Sequence, residues 1–273
     1  MVNENKREQM NVNRHYWDEV VPLHAASEFY DLAGFKAGEN KLDDLVRGEV
    51  GDVAGKSLFH LQCHFGMDTL SWARLGAQVT GMDYSEEAIR AARELAAECG
   101  LDARFICCNL YDLPQHLGGQ FDIVFTSYGV LCWLPDLREW ARIAASYVKP
   151  GGFFYIAEFH PFSTVFDAEA DTLQYRDPYF AKDAISYEVD GDYADRTVKL
   201  AAKKDYEWIH TMGDILNSLV DAGLRIEYLH EHAFTVFEQF PFLVPDKPGT
   251  WRFPEETAPI PLMFSLKAGK PTD

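Results

Sequence analysis

The sequence predicts an α/β fold built on a doubly wound, seven-stranded sheet, and three features predict it. Residues 57–160 alternate short apolar runs with capped, amphipathic stretches, the pattern of parallel strands joined by helices on both faces. Two further strand-like runs, 225–229 and 262–266, bring the count to seven, read as six parallel strands and one antiparallel. Between these regions, residues 161–207 lose helical period and read as a β-hairpin excursion that forms a lid.

Taken in order, 57–62 (SLFHLQ) is the first strand, and the helix after it, 67–75, stops at Gly76, a residue suited to the left-handed helix end. The second strand, 78–82, ends in Asp83. Ser85 then caps a helix that carries Glu86 and Glu87 in its first turn, complementing the helix dipole, and runs to Gly100. Strands three and four are 104–108 (RFICC) and 121–126 (FDIVFT), followed by a helix over 137–148. KPGG at 149–152 reads as a turn into an aromatic fifth strand, 153–159. In the lid, ISYEV and RTVKL flank a turn at 191–195. Helical period returns at 212–222 and closes at Gly223 before the last two strands, which are separated by a Pro- and Phe-rich loop. The opening stretch HYWDEVVPLHAASEFYDL is aromatic and helical in part.

Composition narrows the function. The chain has 273 residues, 47% of them hydrophobic and 25% charged, enough apolar material for a two-sided core. Its net charge of −18, from 43 acidic and 25 basic side chains, argues against a nucleic-acid partner. No run reaches the roughly 18 apolar residues of a membrane helix, and the N-terminus shows no signal-peptide core, so a cytoplasmic protein is expected, as a monomer or homodimer. Five cysteines without a CxxC pair read as reduced core thiols. His230 and His232 share a strand face but have no third ligand at suitable spacing, so no metal site is assigned.

The segment HLQCHFGMDTLSWARLGAQVTGMDYS places strand, tight turn, helix, strand and terminal Asp in the order a nucleoside site requires. Ligands of open α/β sheets sit outside the strands' carboxyl ends, and Gly66 permits close backbone approach there. Asp83, seventeen positions after Gly66, is placed to accept both hydroxyls of a ribose.

Here the chain resembles the Rossmann-like class I S-adenosylmethionine-dependent methyltransferases. HLQCHFG stands where that family has its DLGCGxG loop, and VTGMDYS where it has the ribose-binding acidic segment. Further on, CCNLYDLP, FDIVFTSYGVLCWLPD and the KPGG turn match later motifs, with Asn109 replacing the Asp that meets the adenine amino group. The HLQCHFG loop and RHYWDE opening look like one bacterial subgroup. The resemblance covers residues 50–160 and implies S-adenosylmethionine as cofactor, S-adenosylhomocysteine as product and a small-molecule acceptor. It implies cofactor contacts from Gln62, Cys63, His64, Gly66, Asp83, Tyr84, Ser85, Asn109, Leu110 and Ser127, with Tyr16 or Trp17 closing over the methionine end. It departs from the family in keeping only Gly66 of the loop glycines and in having His60 where an acid is common. The organisation is one methyltransferase domain over 1–273: an N-terminal cap at 1–50, a cofactor-binding core at 51–160, the lid at 161–207, and the rest of the core at 208–273.

Methyl transfer from a sulfonium is an in-line displacement, for which holding the acceptor close and aligned supplies much of the rate. An acceptor that must lose a proton needs a base. His160 is the first candidate, with Glu158 and Tyr128 beside it at strand carboxyl ends, and His210 is weaker. The acidic surface and aromatic lid suit a small cationic or aromatic acceptor. Two competitors stand: a protein that binds the cofactor without catalysis, and a nicotinamide-dependent oxidoreductase, whose GxGxxG run the loop lacks.

Overall fold

β1 (Ser57–Leu61) is an apolar run buried on both sides: Leu58 and Phe59 point to opposite faces of the sheet and both are fully covered. The computed structural model, which describes residues 2–189, 191–192 and 199–272, places β1 beside β2 (Gln78–Asp83), β3 (Ala103–Cys107), β4 (Phe121–Ser127) and β5 (Val148–Phe159). These strands are parallel, in the order β3-β2-β1-β4-β5. The chain then leaves the sheet for an antiparallel hairpin, β6 (Ile185–Glu188) with β7 (Lys204–Glu207). It returns as β8 (Arg225–His232) and forms a small sheet from β9 (Phe234–Thr235), β10 (Val244–Pro245) and β11 (Trp251–Arg252). Finally β12 (Met263–Gly269) inserts antiparallel between β5 and β8. The main sheet therefore has seven strands, six parallel and one antiparallel.

Three helices precede the sheet, α1 (Glu4–Ala26), α2 (Leu32–Lys36) and α3 (Asp44–Val50), and four cover it: α4 (Met67–Arg74), α5 (Glu86–Cys99), α6 (Leu137–Tyr147) and α7 (Met212–Asp221). Ser85 Oγ accepts from Ala88 N at 3.0 Å to start α5, and Gly100 ends it at φ +63°. On one face, Trp140 of α6 and Leu219 of α7 pack on Phe59, Val124, Phe154 and Phe264. On the other, Trp72 of α4 and Val46 of α3 cover Leu58, Phe125 and Tyr155. Each large side chain so buried contributes roughly 1.5–3 kcal/mol. Among the described residues no helix is long and apolar enough to cross a membrane.

Two elements differ from the sequence reading, and a third extends it. KPGG is a bulge inside β5 rather than a turn before it: the β4–β5 register shifts between Phe121 and Ile123. A Cβ on Gly152 would lie 2.6 Å from the Asp122 carbonyl oxygen, which is why a glycine stands there. The strand that pairs with ISYEV is KDYE of β7, with Tyr187 opposite Asp205. Most of RTVKL, and much of the 191–195 turn, lie outside the described residues. Lastly, the aromatic opening is helical in part, as read: its residues up to Ala26 complete a helix of 23 residues that starts at Glu4, and Ser27 ends it. Its Asn13 acts as a surrogate strand: Nδ2 donates to Tyr206 O at 2.7 Å and Oδ1 accepts from Tyr206 N at 2.9 Å. Glu19 also accepts from the amides of Ala201 and Ala202. These bonds fasten α1 to the hairpin, and the pair forms a roof.

Candidate active site

The roof stands over a cavity of about 1610 Å³ at the carboxyl ends of β1, β2, β4 and β5. Small-ligand pockets usually measure roughly 300–1,000 Å³, so this one has room for two molecules side by side.

Its floor starts with the β1–α4 loop. Gln62 and His64, which stand at glycine positions of the resembled motif, take left-handed backbone at φ +55° and +53°, and Gly66 takes φ +77°. Such a conformation costs a side-chain-bearing residue on the order of 1–2 kcal/mol. The loop therefore keeps a glycine-type path against local preference. Gly66 serves packing: a Cβ there would lie 2.8 Å from the Phe105 ring and 2.9 Å from Ala92 Cβ, so the residue lets the loop seat on β3 and α5. Gln62 Nε2 donates to Val130 O at 3.0 Å, while its Oε1 is buried without a hydrogen-bond partner. His60, also on the cavity wall, bonds Thr69 Oγ1 through Nδ1 at 2.8 Å and leaves Nε2 without a partner. Burial lowers its pKa to about 3, so a neutral imidazole replaces the usual acid. Cys63 is buried, which pushes its thiol well above the ordinary range.

Asp83, at the end of β2, joins the loop to α5. Its oxygens accept from His64 N at 2.8 Å and Ser85 N at 2.9 Å, one bond each, leaving each oxygen further acceptor capacity. Burial raises its pKa and these amides oppose the rise. Tyr84, Ser85, Met82 and Leu110 continue the wall. Asn109 does not line it. Its Oδ1 accepts from Tyr111 N at 3.0 Å, and Nδ2 lies 3.8 Å from Met10 Sδ, so a local cap takes the side chain that the sequence reading turned toward an adenine.

Over β4 and β5 the structure rearranges the proton-transfer candidates. Glu158 is 4% exposed and accepts from four backbone amides, those of Gly129, Val130, Leu131 and Phe159. Such a carboxylate holds a loop in shape rather than awaiting a proton. His160 does not line the cavity. Its Nδ1 accepts from Phe162 N at 3.1 Å and its Nε2 bonds Glu231 Oε1 at 2.9 Å, so it caps the turn after β5. The sequence reading placed it by strand-end position, but the chain has already turned at Pro161. Tyr128 does line the cavity, at φ +23°, with its hydroxyl on Asp43. Beside it Ser127 Oγ donates to Asp68 Oδ2 at 3.1 Å, and burial, then the nearby Asp43, brings Asp68 to about 6. His210 also borders the cavity and bonds Leu134 O at 2.7 Å. His230 and His232 separate, to Glu49 and Ser265.

Tyr16 and Trp17 reach the cavity from α1. Trp17 packs edge-on to His64 with ring centroids 5.5 Å apart, and Tyr16 OH donates to Asp192 at 3.2 Å. Asp192 also bonds His24 Nε2 at 2.8 Å, and His24 Nδ1 lies 3.2 Å from His64 Nε2. A buried polar chain thus links lid, α1 and first loop. Sequence reasoning missed Asp43, Asp68, Asp192, Asp205 and Glu207. Only Asp68 carried a local signal, as the acid in the first turn after the loop.

Residues 59–152 match a family model described as a methyltransferase domain. The chain is 30% identical over 151 residues to the ubiquinone biosynthesis O-methyltransferase of Erwinia tasmaniensis, covering 53% of this chain and 62% of that one. It is 31% identical over 157 residues to the protein of the same name from Escherichia coli, covering 56% and 64%. The match thus spans less than two thirds of these relatives. Among solved structures, an S-adenosylmethionine-dependent methyltransferase from Mesorhizobium loti superposes with TM-score 0.58 at 22% identity, over 85% of this chain and 99% of that one. One from Clostridium acetobutylicum superposes with TM-score 0.56 at 15% identity, over 96% and 98%. At these identities the structural likeness is one of fold.

Proposed function

We propose that this chain, whose residues 59–152 match a methyltransferase domain, is a class I enzyme that transfers a methyl group from S-adenosylmethionine to a small-molecule acceptor, leaving S-adenosylhomocysteine. The cofactor would lie over the ends of β1 and β2, and the acceptor over those of β4 and β5. The observation that carries this reading is the first loop, which holds the left-handed path of a glycine motif through Gln62 and His64 at an energetic cost.

The residues present fit the cofactor. Asp83 has acceptor capacity for ribose hydroxyls, and Gln62 Oε1, buried and unpartnered, suits the ammonium of the methionine end. The apolar edges of Met82 and Leu110 suit a planar base. When bound, the sulfonium supplies an activated methyl group. The chain's own part is then to exclude water beneath the roof, and to hold the acceptor in line with the scissile bond. Where the acceptor must shed a proton, the Asp68–Ser127 pair and Tyr128–Asp43 pair are the groups at hand over β4. The cytoplasm is the compartment this reading assigns, since the five cysteines are free thiols.

Calorimetric titration with S-adenosylmethionine, S-adenosylhomocysteine and NAD tests the reading. Micromolar binding of the two sulfur nucleosides alone is expected, whereas binding of NAD alone would return the chain to the oxidoreductase class.

A further inference from the structure

The acceptor half of the cavity is roofed by β7, whose alternation divides its side chains. Lys204 and Tyr206 share the outer side, with the Lys204 ammonium 5.0 Å from the Tyr206 ring centre. Asp205 and Glu207 line the cavity. Trp208 N donates to Cys132 O at 2.8 Å, which seats this end of β7 over the loop that follows β4, away from the β1 and β2 ends.

Asp205 is only 7% exposed; the backbone amides of Tyr187 and of Asp205 itself offset part of the cost of its charge, but its Oδ1 has no hydrogen-bond partner. A buried carboxylate oxygen without a partner is costly unless a ligand meets it. The neighbouring cation does not: Arg176 Nε is held on Asp177 Oδ2 at 2.6 Å, and its guanidinium stacks 4.7 Å from the Tyr187 ring. Arg176, Asp177, Asp205 and Glu207 together carry one positive and three negative formal charges. Of the other cations on the cavity wall, Arg14 pairs with Glu86 and Lys41 with Asp31 and Glu39, and Lys247 belongs to the turn between β10 and β11.

We propose that Asp205 and Glu207 form a subsite that anchors a protonated amino group of the methyl acceptor, an inference that rests on the methyltransferase reading above. Tyr16, Trp17, Trp133 and Trp208 line the same space and suit the apolar body of such a molecule, with ring faces that favour a cation. Burial brings Asp205 to about 6, and burial with the charge of Asp205 brings Glu207 to about 7. An ammonium between them favours the ionised form of both. This roof lies outside residues 59–152, so its preference is not inherited with the family match.

The test uses the full chain saturated with S-adenosylhomocysteine. It is titrated at pH 7.5 with phenethylamine, phenethyl alcohol and 3-phenylpropionate, which share a skeleton and differ in charge. The wild type should bind the amine at least about tenfold tighter than the alcohol, the scale of a hydrogen bond to a charged group, and the carboxylate more weakly still. The Asp205→Asn, Glu207→Gln double variant should lose that preference while keeping its affinity for S-adenosylhomocysteine. Equal binding of the three probes, no binding of the amine at millimolar concentration, or a preference that survives the double substitution would overturn the inference. So would a change in the ratio of S-adenosylmethionine to S-adenosylhomocysteine affinity, since the carboxylates would then face the sulfonium. Failure of the wild type to bind S-adenosylhomocysteine at all would refute the cofactor reading instead.

Discussion

On the floor of the cavity Glu158 accepts four backbone amides and Asp83 accepts two, whereas on the roof Asp205 keeps a buried oxygen with no partner. The same side-chain chemistry therefore does two kinds of work. A carboxylate filled by amides fixes the shape of a loop. One buried with an oxygen left unpartnered lowers stability. Gln62 Oε1 is the floor's own open acceptor, and it lies on the loop where a cofactor ammonium is expected.

Glu158→Gln exchanges an acceptor oxygen for a donor that faces backbone amides, and should cost about 3 kcal/mol, or roughly 6–12 °C in Tm by thermal melting. An unchanged Tm would mean that the amide clamp is not structural. Asp83→Ala should weaken S-adenosylhomocysteine binding by about 1–3 kcal/mol, read by calorimetry. Full retention of affinity would remove the ribose assignment.

On the roof the sign reverses. Asp205 sits at about 6 against an ordinary 3.8, because burial penalises its charge. Between those values the folded chain holds a proton that the unfolded chain has lost, so this group's contribution to stability falls as pH rises through the window. Asp205→Asn should therefore raise Tm by roughly 2–6 °C at pH 8 and by less at pH 5. A loss of Tm at pH 8 would show that the carboxylate is satisfied after all. The smallest effect belongs to His160→Ala, which should lower stability by about 1 kcal/mol through the lost turn cap and leave S-adenosylhomocysteine affinity unchanged.

The floor was legible in the sequence because it is local. Strand, loop, helix and strand from 57 to 99 follow from apolar runs, the Ser85 cap and Gly100, and Asp83 falls at a strand end by position alone. Of the roof, the hairpin excursion and the aromatic cap were legible but their fastening to one another was not, since it depends on contacts such as Asn13 with Tyr206, 193 positions apart, which no periodicity encodes. His160 and Asn109 turn away from the cavity for a third reason. Proximity to a strand end does not decide a side chain's direction when a turn or cap offers it a nearer backbone partner. The loop substitutions at 62 and 64 were visible as departures, but their retention of positive φ was not.

The crystal structure of the chain with S-adenosylhomocysteine would locate the cofactor directly. Ribose hydroxyls on Asp83, the amino-acid ammonium on Gln62 Oε1, and open space between the sulfur and the Asp205–Glu207 wall are expected. A nucleoside bound elsewhere, or one whose sulfur end points away from β4, would contradict the cofactor reading.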